Sequence, residues 1–230
     1  MTTFVLVHGA WHGAWCWERL FPELARRNHG AIAVDLPASD GTATFDKYAR
    51  VVSDAMSAAL DDVVLVGHSL GGMTIPLVAR DRGAHAMVFL CGIVPKIGGF
   101  PWEEDVVMDP PGAYEPLVKH EDGSTTWPSV EAAREAMYQD CTPEDAAWAF
   151  AHLRAQNSSG LWAQSYPLER WPDVKMASVF ATEDRALMPE WSRFVARERL
   201  GVEPIELPGS HSPFVSRPAD LAEALVRAIS

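Results

Sequence analysis

Apolar and polar positions alternate between two periods along this chain. Phe4-Val-Leu-Val-His8 is a short unbroken apolar run closed by Gly9, which predicts a strand buried on both faces. Trp17 to Arg27 fits a helix with Leu20, Phe21 and Leu24 on one side. Ala31 to Asp35 reads as a second buried strand, ended by Leu36-Pro37. Tyr48, Val51, Val52, Ala55, Met56, Ala59 and Leu60 recur at helical spacing and predict an amphipathic helix over Asp46 to Leu60. Val63 to Gly67 is a third strand, followed at once by a helix from Ser69 to about Arg80; Ala86 to Gly92 is a fourth strand. The period is then lost. Lys96 to Trp127 is rich in proline and glycine, and two alanine-rich helices follow, over Ser129 to Asp140 and Pro143 to Gln156. The strand and helix pattern resumes with strands at Met176 to Ala181 and Pro204 to Leu207, and helices at Pro189 to Leu200 and Pro218 to Ile229. Ser216 is the expected cap of the last helix, with Pro218 in its first turn. Short branched strands alternating with helices predict an α/β chain with a mostly parallel six-stranded sheet covered on both faces. Residues 1–94 and 166–230 form its core, and 95–165 a small helical cap inserted over the sheet.

Gly67-His68-Ser69-Leu70-Gly71 lies directly after a branched strand and directly before a helix. That setting gives the G-x-S-x-G pattern its meaning, because the serine sits on a tight strand-to-helix turn with glycines leaving room for neighbouring backbone. The helix start aims free N–H groups at the reaction site, so the Leu70 N–H is an expected oxyanion donor. The loop after the first strand, His8-Gly9-Ala10-Trp11-His12-Gly13, is small enough to turn a second N–H, that of Ala10, toward Ser69. His8 and His12 are four apart, but a strand-to-loop position gives them no helical alignment and no carboxylate lies between them; His8 is read as holding the loop by hydrogen bonds, and no metal is expected.

Gly209-Ser210-His211-Ser212-Pro213 follows the last strand, where sites in parallel sheets form. A neutral imidazole there can take the serine proton and return it, because its ordinary pKa permits both roles near neutrality. Thr182-Glu183-Asp184 follows the fifth strand. Either acid could orient the imidazole, and Asp184 is the one assigned, with Ser69 as nucleophile and His211 as base. The chain order Ser69, Asp184, His211 is the one this architecture requires.

Composition narrows the alternatives. The 230 residues allow one sizeable core, and 48% apolar content is that of an ordinary globular chain. A net charge of −12 without any basic run makes nucleic acid and anionic membranes poor partners. Three scattered cysteines, Cys16, Cys91 and Cys141, favour neither a disulfide framework nor a zinc site. With neither a leader nor a spanning run in the sequence, a cytoplasmic location is expected. Nine tryptophans are many for this length, and several fall in the oxyanion loop or the insertion. Trp11, Trp127 and Trp148 are therefore expected in the pocket wall, with His68 at its floor and Leu187 beside the acid.

The segments Phe4 to Trp15, Val34-Asp35-Leu36-Pro37, Gly67 to Met73, Thr182-Glu183-Asp184 and Gly209-Ser210-His211 resemble the family of plant-type methyl-ester esterases and hydroxynitrile lyases with their bacterial relatives, within the α/β-hydrolase fold. The resemblance implies a Ser69-His211-Asp184 triad, oxyanion donors at Ala10 and Leu70, no cofactor, and a helical cap over the serine. The lyase branch carries a threonine where this chain has Gly9, an acid where it has His68, and a lysine where it has Ser212, so the three departures favour ester hydrolysis. The expected partner is a small-to-medium carboxylic ester; a lactone would fit the same machinery, a lyase or a non-catalytic ligand-binding protein are the rivals, and a homodimer is left open.

Overall fold

The computed structural model describes residues 1–56, 62–99 and 108–230. The strands are β1 (Thr2–Val7), β2 (Gly30–Val34), β3 (Asp62–His68), β4 (Ala86–Leu90), β5 (Val118–Lys119), β6 (Thr125–Thr126), β7 (Lys175–Ala181) and β8 (Ile205–Leu207). Six of them form one sheet in the order β2-β1-β3-β4-β7-β8, with every pairing parallel. The helices are α1 (Phe21–Arg26), α2 (Phe45–Ala55), α3 (Ile75–Arg82), α4 (Val130–Met137), α5 (Pro143–His152), α6 (Ser159–Trp162), α7 (Pro189–Glu198), α8 (Pro213–Ser216) and α9 (Pro218–Ile229).

Strand alternation sorts the core into two layers. Phe4 and Leu6 of β1, Val64 and Val66 of β3, and Val88 and Leu90 of β4 face a cluster that includes Trp17, Leu24 and the apolar side of α9. Val5 and Val7, Leu65, and Met87 and Phe89 face the opposite cluster, built on Tyr48 and Val52 of α2, Leu77 and Val78 of α3, and Trp191 and Val195 of α7. Both faces are thus closed by helices, which is why the central strands read as unbroken apolar runs.

Several boundaries move for local reasons. The expected helix from Ser69 begins instead as a 3₁₀ turn over Ser69–Met73, and α3 starts only at Ile75. Pro76 has no N–H to give to an i−4 carbonyl, so it is tolerated only in a first turn, and the helix proper starts around it. α2 starts on Thr44, whose hydroxyl accepts the Lys47 N–H at 3.2 Å; the expected end of that helix at 57–60 lies outside the described residues, as does Trp102. The side chain of Ser216 does not cap α9: Ser216 ends α8, Arg217 occupies the cap position without a side-chain bond, and Pro218 opens the helix. In the 95–165 segment α4 and α5 are capped by Ser129 and Thr142, as polar residues before alanine-rich runs should be. The β5–β6 hairpin there, two residues to a strand, was not expected from the sequence.

Strand order reverses between β1 and β3. The loops leaving the carboxyl ends of these neighbours therefore open a crevice, and loops after β7 and β8 reach the same edge.

Candidate active site

Ser69 sits at the end of β3 with φ 50°, one of four described non-glycine residues with positive φ. A serine has no reason of its own to adopt this conformation, which costs on the order of 1 kcal/mol or more and is held by what surrounds it. The surroundings are backbone. A Cβ on Gly67 would stand 2.7 Å from the Gly71 carbonyl oxygen, and one on Gly71 would stand 2.6 Å from the carbonyl oxygen of Val7. A Cβ on Gly72 would stand 2.5 Å from the Ile93 carbonyl oxygen, and the Ile93 N–H donates to the Ser69 carbonyl at 2.9 Å. The turn is clamped on three sides by main chain that only glycine lets approach.

The expected base and acid, His211 and Asp184, come from the ends of β8 and β7. Thr182 N–H donates to the Leu207 carbonyl at 2.8 Å and Glu183 N–H to the Gly209 carbonyl at 3.0 Å, so the two loops are laced together. His211 Nδ1 donates to Asp184 Oδ2 at 2.7 Å, and both side chains are buried. The other Asp184 oxygen accepts the N–H groups of Ala186 and Leu187 at 2.8 and 2.9 Å. The carboxylate is thereby fully satisfied and holds the imidazole with its proton on Nδ1, leaving Nε2 unprotonated. Glu183, the alternative acid, is exposed and makes no such bond to the imidazole. His68 supports the same loop from below: its Nε2 donates to the His211 carbonyl at 3.0 Å, and the two rings lie 4.7 Å apart.

Two further histidines fix the loop after β1. Leu36 N–H donates to His8 Nε2 at 3.0 Å, which forces the His8 proton onto Nδ1, where it is given to the Gly9 carbonyl at 2.8 Å. In a trans peptide the Ala10 N–H points away from that carbonyl, so fixing the one orients the other. His12 repeats the device one peptide on: Tyr138 Oη donates to Nε2 at 2.7 Å, and Nδ1 donates to the Ala10 carbonyl at 2.8 Å. Burial pushes His8 down to about 4 and His12 to about 3, so both stay neutral and keep these roles. The loop lies against Ser69, since a Cβ at Gly9 would stand 2.6 Å from Ser69 Cβ. With the Ala10 N–H as the expected oxyanion donor, His8→Ala should lower kcat about ten- to a hundredfold with KM less affected, because a misaimed donor loses transition-state stabilisation more than binding. His8→Asn, whose amide can still donate to Gly9, should recover much of it; steady-state kinetics on both variants check this.

Ser69, Ala10, Leu70 and Trp11 all line one cavity of about 570 Å³, shared with Asp109 and Tyr114. A larger hollow of about 840 Å³ beside the end of α3 touches none of these groups. The remaining expected wall residues stand elsewhere. Trp127 is buried edge-on against Trp11, 5.5 Å between ring centres, and so backs the wall without reaching the cavity. Trp148 packs on Trp15 and beneath the Arg19 guanidinium. Leu187 is buried in the core, and its N–H, not its side chain, serves the site by holding Asp184. His68 is buried behind the serine. Asp109 was missed; a carboxylate in an irregular proline-rich stretch carries no sequence signal of the cavity it faces.

Cys91, Asp184 and His211 place ligand atoms within 4.8 Å of one another. The Cys91 thiol is pushed well above its ordinary value by burial and by the adjacent Asp184 charge, which opposes the thiolate that metal binding needs.

A buried carboxylate–imidazole pair and a serine at positive φ, gathered at one edge of a parallel sheet, fit a serine-hydrolase-type enzyme. The chain belongs to the alpha/beta hydrolase family, whose model matches residues 4–224. It is similar to Esterase PIR7B of Oryza sativa subsp. japonica, 30% identical with 97% of this chain and 94% of that protein covered. It is also similar to Salicylic acid-binding protein 2 of Nicotiana tabacum, at 32% identity over 97% and 95%. Among solved structures, a pyrethroid hydrolase from Sphingobium faniae JZ-2 superposes with a TM-score of 0.85 at 25% identity, covering 99% of this chain and 97% of that one. The protein is an esterase of the serine-hydrolase type acting on small esters, related to plant esterases and bacterial homologues. No helix among the described residues is long and apolar enough to cross a membrane.

Proposed function

We propose that Ser69, His211 and Asp184 carry the hydrolysis, with the N–H groups of Ala10 and Leu70 as oxyanion donors. Ser69 Oγ attacks the ester carbonyl carbon while His211 Nε2 takes the hydroxyl proton, and Asp184 stabilises the imidazolium. The oxyanion is held by the two N–H groups. Its collapse breaks the carbonyl carbon–alkoxy bond, and His211 gives its proton to the departing alkoxide. Water, losing a proton to His211, then cleaves the acyl-enzyme, and the proton returns to Ser69 as the acid leaves. The carrying observation is a serine held at φ 50° in the wall of a cavity at the same sheet edge as the His211–Asp184 pair.

The 95–165 segment acts as the cap in this reading, supplying Tyr114, Thr125 and Gln156 to the cavity wall. A mixed lining of this size suits a small-to-medium ester. Three buried, unpaired cysteines agree with a cytoplasmic setting. The lyase alternative is disfavoured by steric detail: a threonine at Gly9 would meet Ser69 Cβ and His68 Nδ1 at under 3.0 Å. A panel of p-nitrophenyl and methyl esters, lactones and a cyanohydrin tests the reading, with fluorophosphonate labelling of Ser69 alongside. Ester turnover with labelling at Ser69 is expected; cyanide release without ester hydrolysis, or labelling at another serine, would refute it.

A further inference from the structure

Acyl transfer leaves the carboxylate in the cavity unexplained. Asp109 stands in the wall with Ser69 and Tyr114. The residue before it is anchored, since Met188 N–H donates to the Met108 carbonyl at 2.8 Å. The neighbouring Tyr114 gives its only hydroxyl proton to the Ala186 carbonyl at 2.8 Å, so none remains for Asp109. Among the described residues, no hydrogen bond or ion pair satisfies the Asp109 carboxylate, and it is only partly exposed to water. Such a group is costly to keep unless something completes it.

What completes it can be read from its neighbours. Trp11, Tyr114 and Trp162 present aromatic surface to the same cavity, and the Trp11 and Tyr114 rings lie 5.9 Å apart at 33°. Aromatic faces with one carboxylate attract a protonated or quaternary amine, the rings through their quadrupoles and the acid through its charge. His211, the group that protonates the departing alkoxide in the proposed reaction, is close enough for its charge to act on Asp109, so Asp109 stands toward the alcohol side of the scissile bond. We infer that the cavity accepts esters whose alcohol half bears an ammonium group, and that Asp109, with Trp11 and Tyr114, recognises that cation. The inference rests on Ser69 and His211 acting as proposed above.

The pH behaviour follows from the groups around Asp109. Burial raises its carboxyl to about 6, partly countered by His211; the Tyr114 phenol, pushed well above its ordinary value, stays neutral. Lys119, the other charged residue of the lining, is exposed to solvent on β5 and is screened. The carboxylate is therefore ionised above about 6, and recognition of a cation is lost as pH falls below that value.

The test compares the acetate ester of choline with its uncharged isostere, in which a tert-butyl group replaces trimethylammonium. At about pH 8 the wild-type kcat/KM should favour the choline ester by roughly ten-fold. Asp109→Asn should bring the ratio to about one, chiefly by slowing the choline ester. The wild-type ratio should decline as pH drops through about 6. Calorimetric binding of choline to Ser69→Ala, with and without Asp109→Asn, reads the same contact without turnover. A wild-type ratio at or below one, a ratio indifferent to Asp109→Asn, or choline affinity unaffected by that change overturns the inference. Asp109-dependent choline binding with hydrolysis of neither ester would uphold the cation site and refute the acyl-transfer roles.

Discussion

Replacing Ser69 with alanine should reduce kcat/KM for a p-nitrophenyl ester by about 10⁴- to 10⁶-fold while leaving the thermal unfolding midpoint nearly unchanged. On the proposed mechanism the activity loss follows from removing the oxygen that forms the acyl-enzyme; what survives would be rate enhancement from the oxyanion donors and binding. The stability expectation is separable. Alanine keeps a Cβ in the left-handed conformation at φ 50°, so the strain stays. Ser69→Gly removes the Cβ and should be equally inactive but more stable by about 1 kcal/mol, because glycine accepts positive φ without steric cost. Its greater unfolded-state entropy works against that gain, so the difference between the two variants is the quantity to measure. Denaturant unfolding and steady-state kinetics on both proteins give the comparison. An alanine variant with undiminished turnover ends the assignment of Ser69. A glycine variant less stable than the alanine one by more than about 1 kcal/mol, the entropic cost of glycine itself, shows that the turn is not strained.

The parts of this molecule visible in its sequence are those whose environment is local. β1 and β3 are legible because a strand covered on both faces must be apolar at every position, and the strand-to-helix turn at Ser69 because Gly67 packs on Gly71 and Gly72 within five residues of it; that Gly71 and Gly72 also make room for Val7 and Ile93 was not legible. The Ser216 cap failed because a short α8 intervenes and takes that serine into its own turn. Side-chain direction in the 95–165 segment was not legible. Trp127 and Trp148 were expected in the wall on abundance alone, and each is instead claimed by another aromatic ring, Trp11 and Trp15. The paired tautomers of His8 and His12 depend on Leu36 and Tyr138, which are 28 and 126 residues away, so no spacing rule could have found them.

Those buried histidines dictate how the protein should respond to acid. His8, His12 and His68 are each fully buried and neutral, with His8 lowered to about 4, His12 to about 3 and His68 well below its ordinary value, all chiefly by desolvation. In the unfolded chain each takes a proton near 6.5, so below that pH the unfolded state binds more protons than the native state and stability falls. Each contributes a slope of up to ~1.4 kcal/mol per pH unit, and three together approach ~4 kcal/mol per unit. Against a net stability of about 5–15 kcal/mol, the loss of roughly 8 kcal/mol over two pH units below 6.5 consumes most of it. Asp109 acts in the opposite sense, since its carboxyl is protonated in the native state first, from about 6 downward. Ion-paired carboxylates such as Asp145, held below the usual range by Arg19, add their destabilisation only beneath the histidine window. Acid unfolding is therefore expected with a midpoint between about pH 4 and 5, led by histidine protonation rather than by loss of surface ion pairs. Urea unfolding at a series of pH values measures the proton uptake directly, as the slope of stability against pH. Asp109→Asn should steepen that slope by removing the opposing group. An uptake below about one proton across this interval would mean that the three imidazoles are already charged in the native state, and with it would go the fixed tautomers of His8 and His12.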